Sequence, residues 1–244
     1  MSSAVQLQHI GKRYGRTQVL DDVSIELPKG KTTLILGHNG CGKTTLLKCI
    51  IGLVRPDRGD ITFADLDARE TDVRHLIGYL PQKSFFPDNI TPEEIFELIA
   101  SMRPGVPLTH DRLVDQFTLQ PFLHKRVKEL SGGTLQKVGV VSALMTQPKI
   151  LLLDEPTAGL DPKSRFIFKQ LIDQQKALGV TTVITSHIIS EHEQGCDNIV
   201  VLTDGRVAYS GLASDLRAGQ NGQGLEGAIV NILEKAEGSA WRQS

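Results

Sequence analysis

Apolar and polar positions change their period several times along the chain, and each change marks an element. Val5, Leu7 and His9 alternate with Gln6, Gln8 and Ile10, which predicts a strand with Val5, Leu7 and His9 on one face. Leu20-Asp21-Asp22-Val23-Ser24-Ile25-Glu26-Leu27 alternates again and stops at the turn signal Pro28-Lys29-Gly30. Lys31 to Leu36 reads as a buried strand, and Thr44 to Ile51 as a helix with Leu46, Leu47, Ile50 and Ile51 inward. Ile61-Thr62-Phe63 and Ile77-Gly78-Tyr79-Leu80 are further strands. Thr91-Pro92-Glu93-Glu94 is a capping box with proline at the first helical position, and it opens a region of helical pattern over about residues 85–145, broken at Arg103-Pro104-Gly105-Val106-Pro107.

Beyond Asp154 the period alternates: helix from Phe166 to Leu178, strand from Thr181 to Thr185, helix from Ser190 to Gln194, strand from Asn198 to Leu202. Strands alternating with helices predict an α/β fold with a parallel sheet covered by helices. No internal repeat is present, so residues 1–218 read as one domain. Gly219 to Gly224 reads as a linker, followed by a short helix with Leu225, Ile229, Val230 and Leu233 on one face.

The 244 residues suffice for one sizeable core with a small attached subdomain. Lys and Arg number 27 against 28 Asp and Glu, and no basic block marks a nucleic-acid surface. No apolar run approaches the roughly 18–20 residues of a membrane span. The first residues, Met1 to Gln6, lack a signal-peptide pattern, so the chain is expected in the cytosol or on the cytosolic face of a membrane, held by a partner. Cys41, Cys49 and Cys196 form no C-x-x-C pair, against a disulfide framework or zinc site.

Candidate chemistry begins at Gly37-His38-Asn39-Gly40-Cys41-Gly42-Lys43-Thr44, which fits G-x-x-x-x-G-K-T and is followed by Thr45. Glycines let successive N–H groups curve around phosphate, Lys43 adds positive charge, and Thr44 offers a hydroxyl to Mg²⁺. The strand before and helix after are the context that makes the pattern a site, and the helix N-terminus adds its own attraction for anions. Cys41 sits just before that terminus, a setting that lowers a thiol's pKa, so a redox role stands beside the reading of a small space-filler. Ile150-Leu151-Leu152-Leu153-Asp154-Glu155 ends a buried strand in two acids, which are costly there without cations or ligands. One such carboxylate suits Mg²⁺ and the next the attacking water. Leu130-Ser131-Gly132-Gly133-Thr134 puts two glycines and a hydroxyl before a helical pattern, a second place where backbone can approach phosphate.

Together these three runs resemble the nucleotide-binding domain of ABC ATPases, and the likeness spans about residues 5–215. The resemblance implies a P-loop NTPase core with an N-terminal antiparallel β element and a helical subdomain inserted after Gln82. It implies ATP and Mg²⁺ as ligands. Asp154 and Thr44 fall on the metal side with Gln82, and Glu155 is the base. His187 matches the switch histidine, Gln82 the Q-loop glutamine and Tyr14 the aromatic that stacks on adenine. Ser131, Gly132 and Gly133 match the signature, with Thr134 in place of the usual glutamine and Ser142 where many relatives carry arginine. Asp161 matches the D-loop that reaches a second copy. The family works as a head-to-tail dimer driving membrane permease subunits. The C-terminal helix is similar to that of export-type ATPases, so the direction leans to export. The alternatives are a soluble ABC ATPase of DNA repair, translation or iron–sulfur assembly, and a P-loop kinase or GTPase. The substrate is not legible.

Overall fold

The computed structural model describes residues 2–64, 73–103, 108–188, 195–218 and 224–240. The expected helix from Ser190 to Gln194 and the linker up to residue 223 lie outside them.

β1 (Ser3–Tyr14) and β2 (Thr17–Pro28) form an antiparallel pair, and β4 (Arg58–Phe63) joins the free edge of β1. Val5 and Leu7 are buried as predicted, but His9 is not. A bulge between Leu7 and Ile10 places His9 at φ 54 and turns Ile10 inward in its place. An inserted residue shifts a period-two pattern by one, which alternation alone does not reveal.

The larger sheet has six strands in the order β5-β6-β7-β3-β8-β9. β3 (Thr32–Leu36) lies between β7 (Thr181–Ser186) and β8 (Asn198–Thr203), parallel to both. β5 (Ile77–Leu80) and β6 (Ile150–Asp154) extend the parallel part, and β9 (Arg206–Leu212) closes the far edge antiparallel. Every residue of β3, β6 and β7 is buried. The reason is two cores, one on each face. Leu34, Leu36, Leu151, Leu153 and Ile184 point into one, while Ile35, Leu152 and Val183 point into the other. Period-two side chains with both faces covered give the unbroken apolar runs seen in the sequence.

α1 (Lys43–Ile50) packs with β1 and β2 on the second face. Its residues Leu46, Leu47 and Ile50 are buried, whereas Ile51 falls at its C-cap and is half-buried. The first face takes α2 (Pro92–Ser101), α3 (His110–Gln116), α4 (Gly132–Leu144) and α5 (Pro162–Ala177). The Thr91 capping box forms as read: Thr91 N–H donates to Glu94 Oε2 at 2.8 Å and Glu94 N–H to Thr91 Oγ1 at 3.3 Å. α6 (Ala213–Ala218) follows β9. α7 runs 17 residues, Gly224–Ala240, and sends Leu225, Ala228 and Ile229 into the main core. Val230, expected on that inner face, is 44% exposed.

Candidate nucleotide site

β3 ends at Leu36 and the chain turns through residues 37–42 into α1, so the first helical N–H groups and Lys43 face the sheet's carboxyl end. In open α/β sheets ligands bind in that crevice. Gly42 caps α1 at φ 109, and a Cβ there would meet the Val19 carbonyl at 2.7 Å, so both the backbone angle and the space demand glycine. His38, Asn39 and Gly40 are exposed on the outside of the loop. Cys41 is 1% exposed, and burial pushes its thiol pKa up. That fits the reading of Cys41 as a small space-filler rather than a redox thiol: desolvation outweighs the attraction of Lys43.

The Lys43 ammonium is buried and donates to the carbonyls of Gly37 at 2.7 Å and His38 at 3.1 Å. Across from it stand the two acids that end β6. Asp154 is fully buried and takes a hydrogen bond on each oxygen, from Thr44 Oγ1 and from Thr185 Oγ1, both at 2.6 Å. Glu155 is 6% exposed and sits at φ 50, a strained angle for a residue with a side chain. Its N–H donates to the Thr185 hydroxyl at 3.1 Å and the Thr185 carbonyl at 3.2 Å, which holds the kink. Its Oε2 accepts from His187 Nδ1 at 2.8 Å. Since a carboxylate only accepts, Nδ1 carries the hydrogen of that bond. Glu155 Oε1 lies 3.8 Å from Lys43, within ion-pair range but too far to hydrogen bond, and is buried without a hydrogen-bond partner among the described residues.

The parallel register explains the cluster. Asp154 pairs with Thr185 across β6 and β7, so the residues just past each strand end, Glu155 and His187, meet. Thr185 is the hub of this arrangement and was read only as part of a strand. Its signal was present, a buried hydroxyl at the end of an apolar strand, but its use depends on which strand lies alongside.

The remaining expected site residues lie elsewhere. Tyr14 ends β1, 50% exposed. Thr45 is half-buried in the first turn of α1, and Gln82 is exposed after β5. Ser131 caps α4, its hydroxyl accepting from Thr134 N–H at 3.2 Å, and Ser131 and Gly132 are both exposed. Gly133 packs so closely on the Gly159 carbonyl that a Cβ would stand 2.8 Å from it. Asp161 caps α5 through Ser164 and pairs with Lys137 of α4 at 2.8 Å. Gln136, buried in α4 and unnoticed in the sequence, donates to the Pro156 carbonyl at 3.1 Å. Gln136, Gly133 and Lys137 thus fasten α4 to the segment that leaves Glu155. Among the described residues no hydrogen bond or ion pair joins Tyr14, Gln82 or Ser131 to the Lys43–Asp154–Glu155 cluster.

Residues 20–158, more than half of the chain, match the family model described as ABC transporter. The chain belongs to the ABC transporter ATP-binding family. An uncharacterised ABC transporter ATP-binding protein of Nostoc sp. is 34% identical over 85% of this chain, which spans only 64% of that relative's length. The lipopolysaccharide export system ATP-binding protein of Acidithiobacillus ferridurans is 33% identical, covering 88% of this chain and 93% of that protein. The osmoprotectant import ATP-binding protein of Salmonella typhimurium is also 33% identical, covering 86% of this chain and 58% of that one. Among solved structures, the ATP-binding subunit of an ABC transporter superposes with TM-score 0.86 at 29% identity, covering 95% of this chain and all of that one. A dimeric ATP-binding cassette bound to ADP and Pi superposes with TM-score 0.76 at 27% identity, over 86% and 98% of the two chains. The ABC ATPase fold, parallel sheet with antiparallel β element, is therefore the fold of this chain. No described helix is long and apolar enough to cross a membrane.

Proposed function

We propose that this chain binds and hydrolyses ATP as the energising subunit of an ABC transporter, working as two copies with separate permease subunits. One observation carries the reading: Lys43, Thr44, Asp154, Glu155 and His187 converge in one cluster at the carboxyl end of the sheet, with Lys43, Asp154 and Glu155 buried. A lysine and two acids this deep are expensive unless a charged ligand completes them.

The cluster suits MgATP. Thr44 Oγ1 and Asp154 Oδ2 are hard oxygen donors 2.6 Å apart, the type of donor that holds Mg²⁺ directly or through water. Bound there, Mg²⁺ supplies charge neutralisation for the β- and γ-phosphates. The 37–42 loop and the N-terminal turn of α1 present N–H groups to the phosphates, and Lys43 adds a cation. Glu155 has one oxygen fixed by His187 and the other, Oε1, free to accept the proton of a water. His187 holds the orientation of that carboxylate and faces the γ-phosphate with its other edge. Gln82 is assigned to the metal and the water as the exposed loop closes over them. Tyr14 is assigned to the adenine.

Support for two copies comes from Ser131 and Gly132, which present a helix N-terminus to solvent away from the cluster. A partner's nucleotide fits that position, and Asp161 lies beside it through Lys137. Support for a permease comes from the exposed Phe85 and Met102, which line a cavity of about 320 Å³ together with Pro81, the residue before Gln82. The cytosolic face of the membrane follows as the location. For direction we hold to export, resting on α7 and the export relative, although the import relative is equally similar.

Glu155→Gln tests the reading. It keeps the shape of the side chain and removes the base, so hydrolysis should fall roughly 10²–10⁴-fold. The variant should accumulate as a dimer on size exclusion with ATP and Mg²⁺ but not with ADP, alone or with its permease. Hydrolysis at the parent rate would remove Glu155 as the base.

A further inference from the structure

Lys12 is fixed by groups that have no part in phosphate binding. Its ammonium donates to the Arg55 carbonyl and to Asp57 Oδ1, both at 2.8 Å, and stands over the Tyr14 ring, 5.7 Å from its centre. Asp57 uses its other oxygen to accept Arg13 N–H at 2.7 Å. One carboxylate therefore grips both residues that precede Tyr14. These bonds to Lys12 and Arg13 hold the Asp57 carboxyl below the usual carboxylate range.

Tyr14 needs such a grip. It is the last residue of β1, paired only with Thr17 across the turn at Gly15, and half of its surface is open. A ring in that place has little else to choose its rotamer. An ammonium within about 6 Å of an aromatic face is attracted by the π electrons. It therefore holds the ring by one face, on a residue half of whose surface is open.

We propose that Lys12 is a positioning residue for base recognition: anchored by Asp57 and Arg55, it fixes Tyr14 with one face outward as the platform for adenine. This rests on the reading of Tyr14 as the adenine contact. The cation also draws π density to its own side. The open face is then poorer in electrons and a better partner for an electron-rich purine.

The test compares a ligand with a base and one without, on the full chain. Titrations use MgATP and magnesium tripolyphosphate. Lys12→Met should weaken ATP about two- to fivefold, the range of an exposed cation–π contact, and leave tripolyphosphate unchanged. Loss of a nearby positive charge alone would weaken both ligands alike, which would overturn the proposal. Lys12→Arg should restore ATP affinity. Asp57→Ala, which removes one of the two anchors of the ammonium and keeps the ammonium, should reproduce part of the ATP-only loss and serves if Lys12→Met does not fold. In a Tyr14→Ala background Lys12→Met should have no further effect, and additive losses would refute the coupling. If Tyr14→Ala itself leaves ATP affinity unchanged, the adenine reading of Tyr14 fails first, and this inference with it.

Discussion

Replacing Thr185 by valine keeps the branched shape and removes one hydroxyl, and the structure says what that hydroxyl does. Its oxygen accepts from Glu155 N–H at 3.1 Å and donates to Asp154 Oδ1 at 2.6 Å, in a place with no exposed surface. The two losses differ in size. Glu155 N–H keeps the Thr185 carbonyl at 3.2 Å, so its share of the cost is small. Among the described residues Asp154 keeps only the bond from Thr44, and the oxygen that loses its donor is fully buried on a carboxylate. Hydrogen bonds to charged groups contribute about 1.5–3 kcal/mol, and a buried acceptor left unpaired costs a similar amount. We expect Thr185→Val to destabilise the apoprotein by about 2–3 kcal/mol, or roughly 4–12 °C in Tm for a chain of this size.

The same change acts on function. Glu155 holds its strained φ of 50 partly through Thr185, and relaxation there moves the carboxylate away from His187. ATP turnover should fall more than ATP affinity, since Lys43 and the 37–42 loop are untouched. Thermal unfolding, turnover and ATP titration of the purified variant check this together. A Tm within about 1 °C of the parent with unchanged turnover would show that the Thr185 bonds do not support the site.

Four further outcomes are expected. Lys43→Ala should abolish most hydrolysis and weaken ATP binding, because it deletes the cation proposed to face the phosphates; turnover with the permease present measures it. Thr134→Gln should leave ATP affinity of the isolated chain unchanged, as Thr134 contacts only the Ser131 cap among the described hydrogen bonds; equilibrium titration decides. Leu225→Ala should cost about 2–5 kcal/mol in chemical denaturation, since that side chain is fully buried in the main core rather than resting on the surface. Asp161 is held far below the usual carboxylate pKa by Lys137 and then Ser164, so its contribution is present above its ordinary value of 3.8 and is lost as pH falls below it. Asp161→Asn keeps a capping side chain and should be less stable than the parent at pH 7, by a small amount given its exposure, with the gap closing towards pH 2.

What could be read from the chain was what lies close in sequence. The 37–44 loop needs only a strand, six residues and a helix, and every part of that is local. The Thr91 capping box and the apolar strand before Asp154 are equally local, and each forms where it was expected. The bulge at His9, and the next irregularity at Asp22, escaped because both residues look like ordinary members of an alternating run. Pairings over long separations were out of reach. Asp154 meets Thr44 across 110 residues, Thr185 across 31, and Glu155 meets His187 across 32. Apolar runs announce strands, yet they carry no information on neighbour order.

That order is where the site comes from. β3, which delivers Lys43, lies beside β7, and β7 lies beside β6, so three strands far apart in sequence end side by side. Parallel pairing then puts all three carboxyl ends at one edge, and the loops leaving them supply a cation, two acids and a histidine. A single-residue slip between β6 and β7 would leave Asp154 opposite a different residue and turn every side chain of β6 to the other face. The two cores forbid that slip, because Leu151 and Leu153 must face one and Leu152 the other. The packing of Leu151, Leu152 and Leu153 into the two cores thus sets the Glu155–His187 contact as firmly as the residues that make it. Moving Leu152 and Leu153 to polar side chains should therefore disorder the Glu155–His187 pair through loss of register. The His187 imidazole resonances, followed by NMR against the parent protein, would report that loss of register, and a variant that kept them unchanged would refute it.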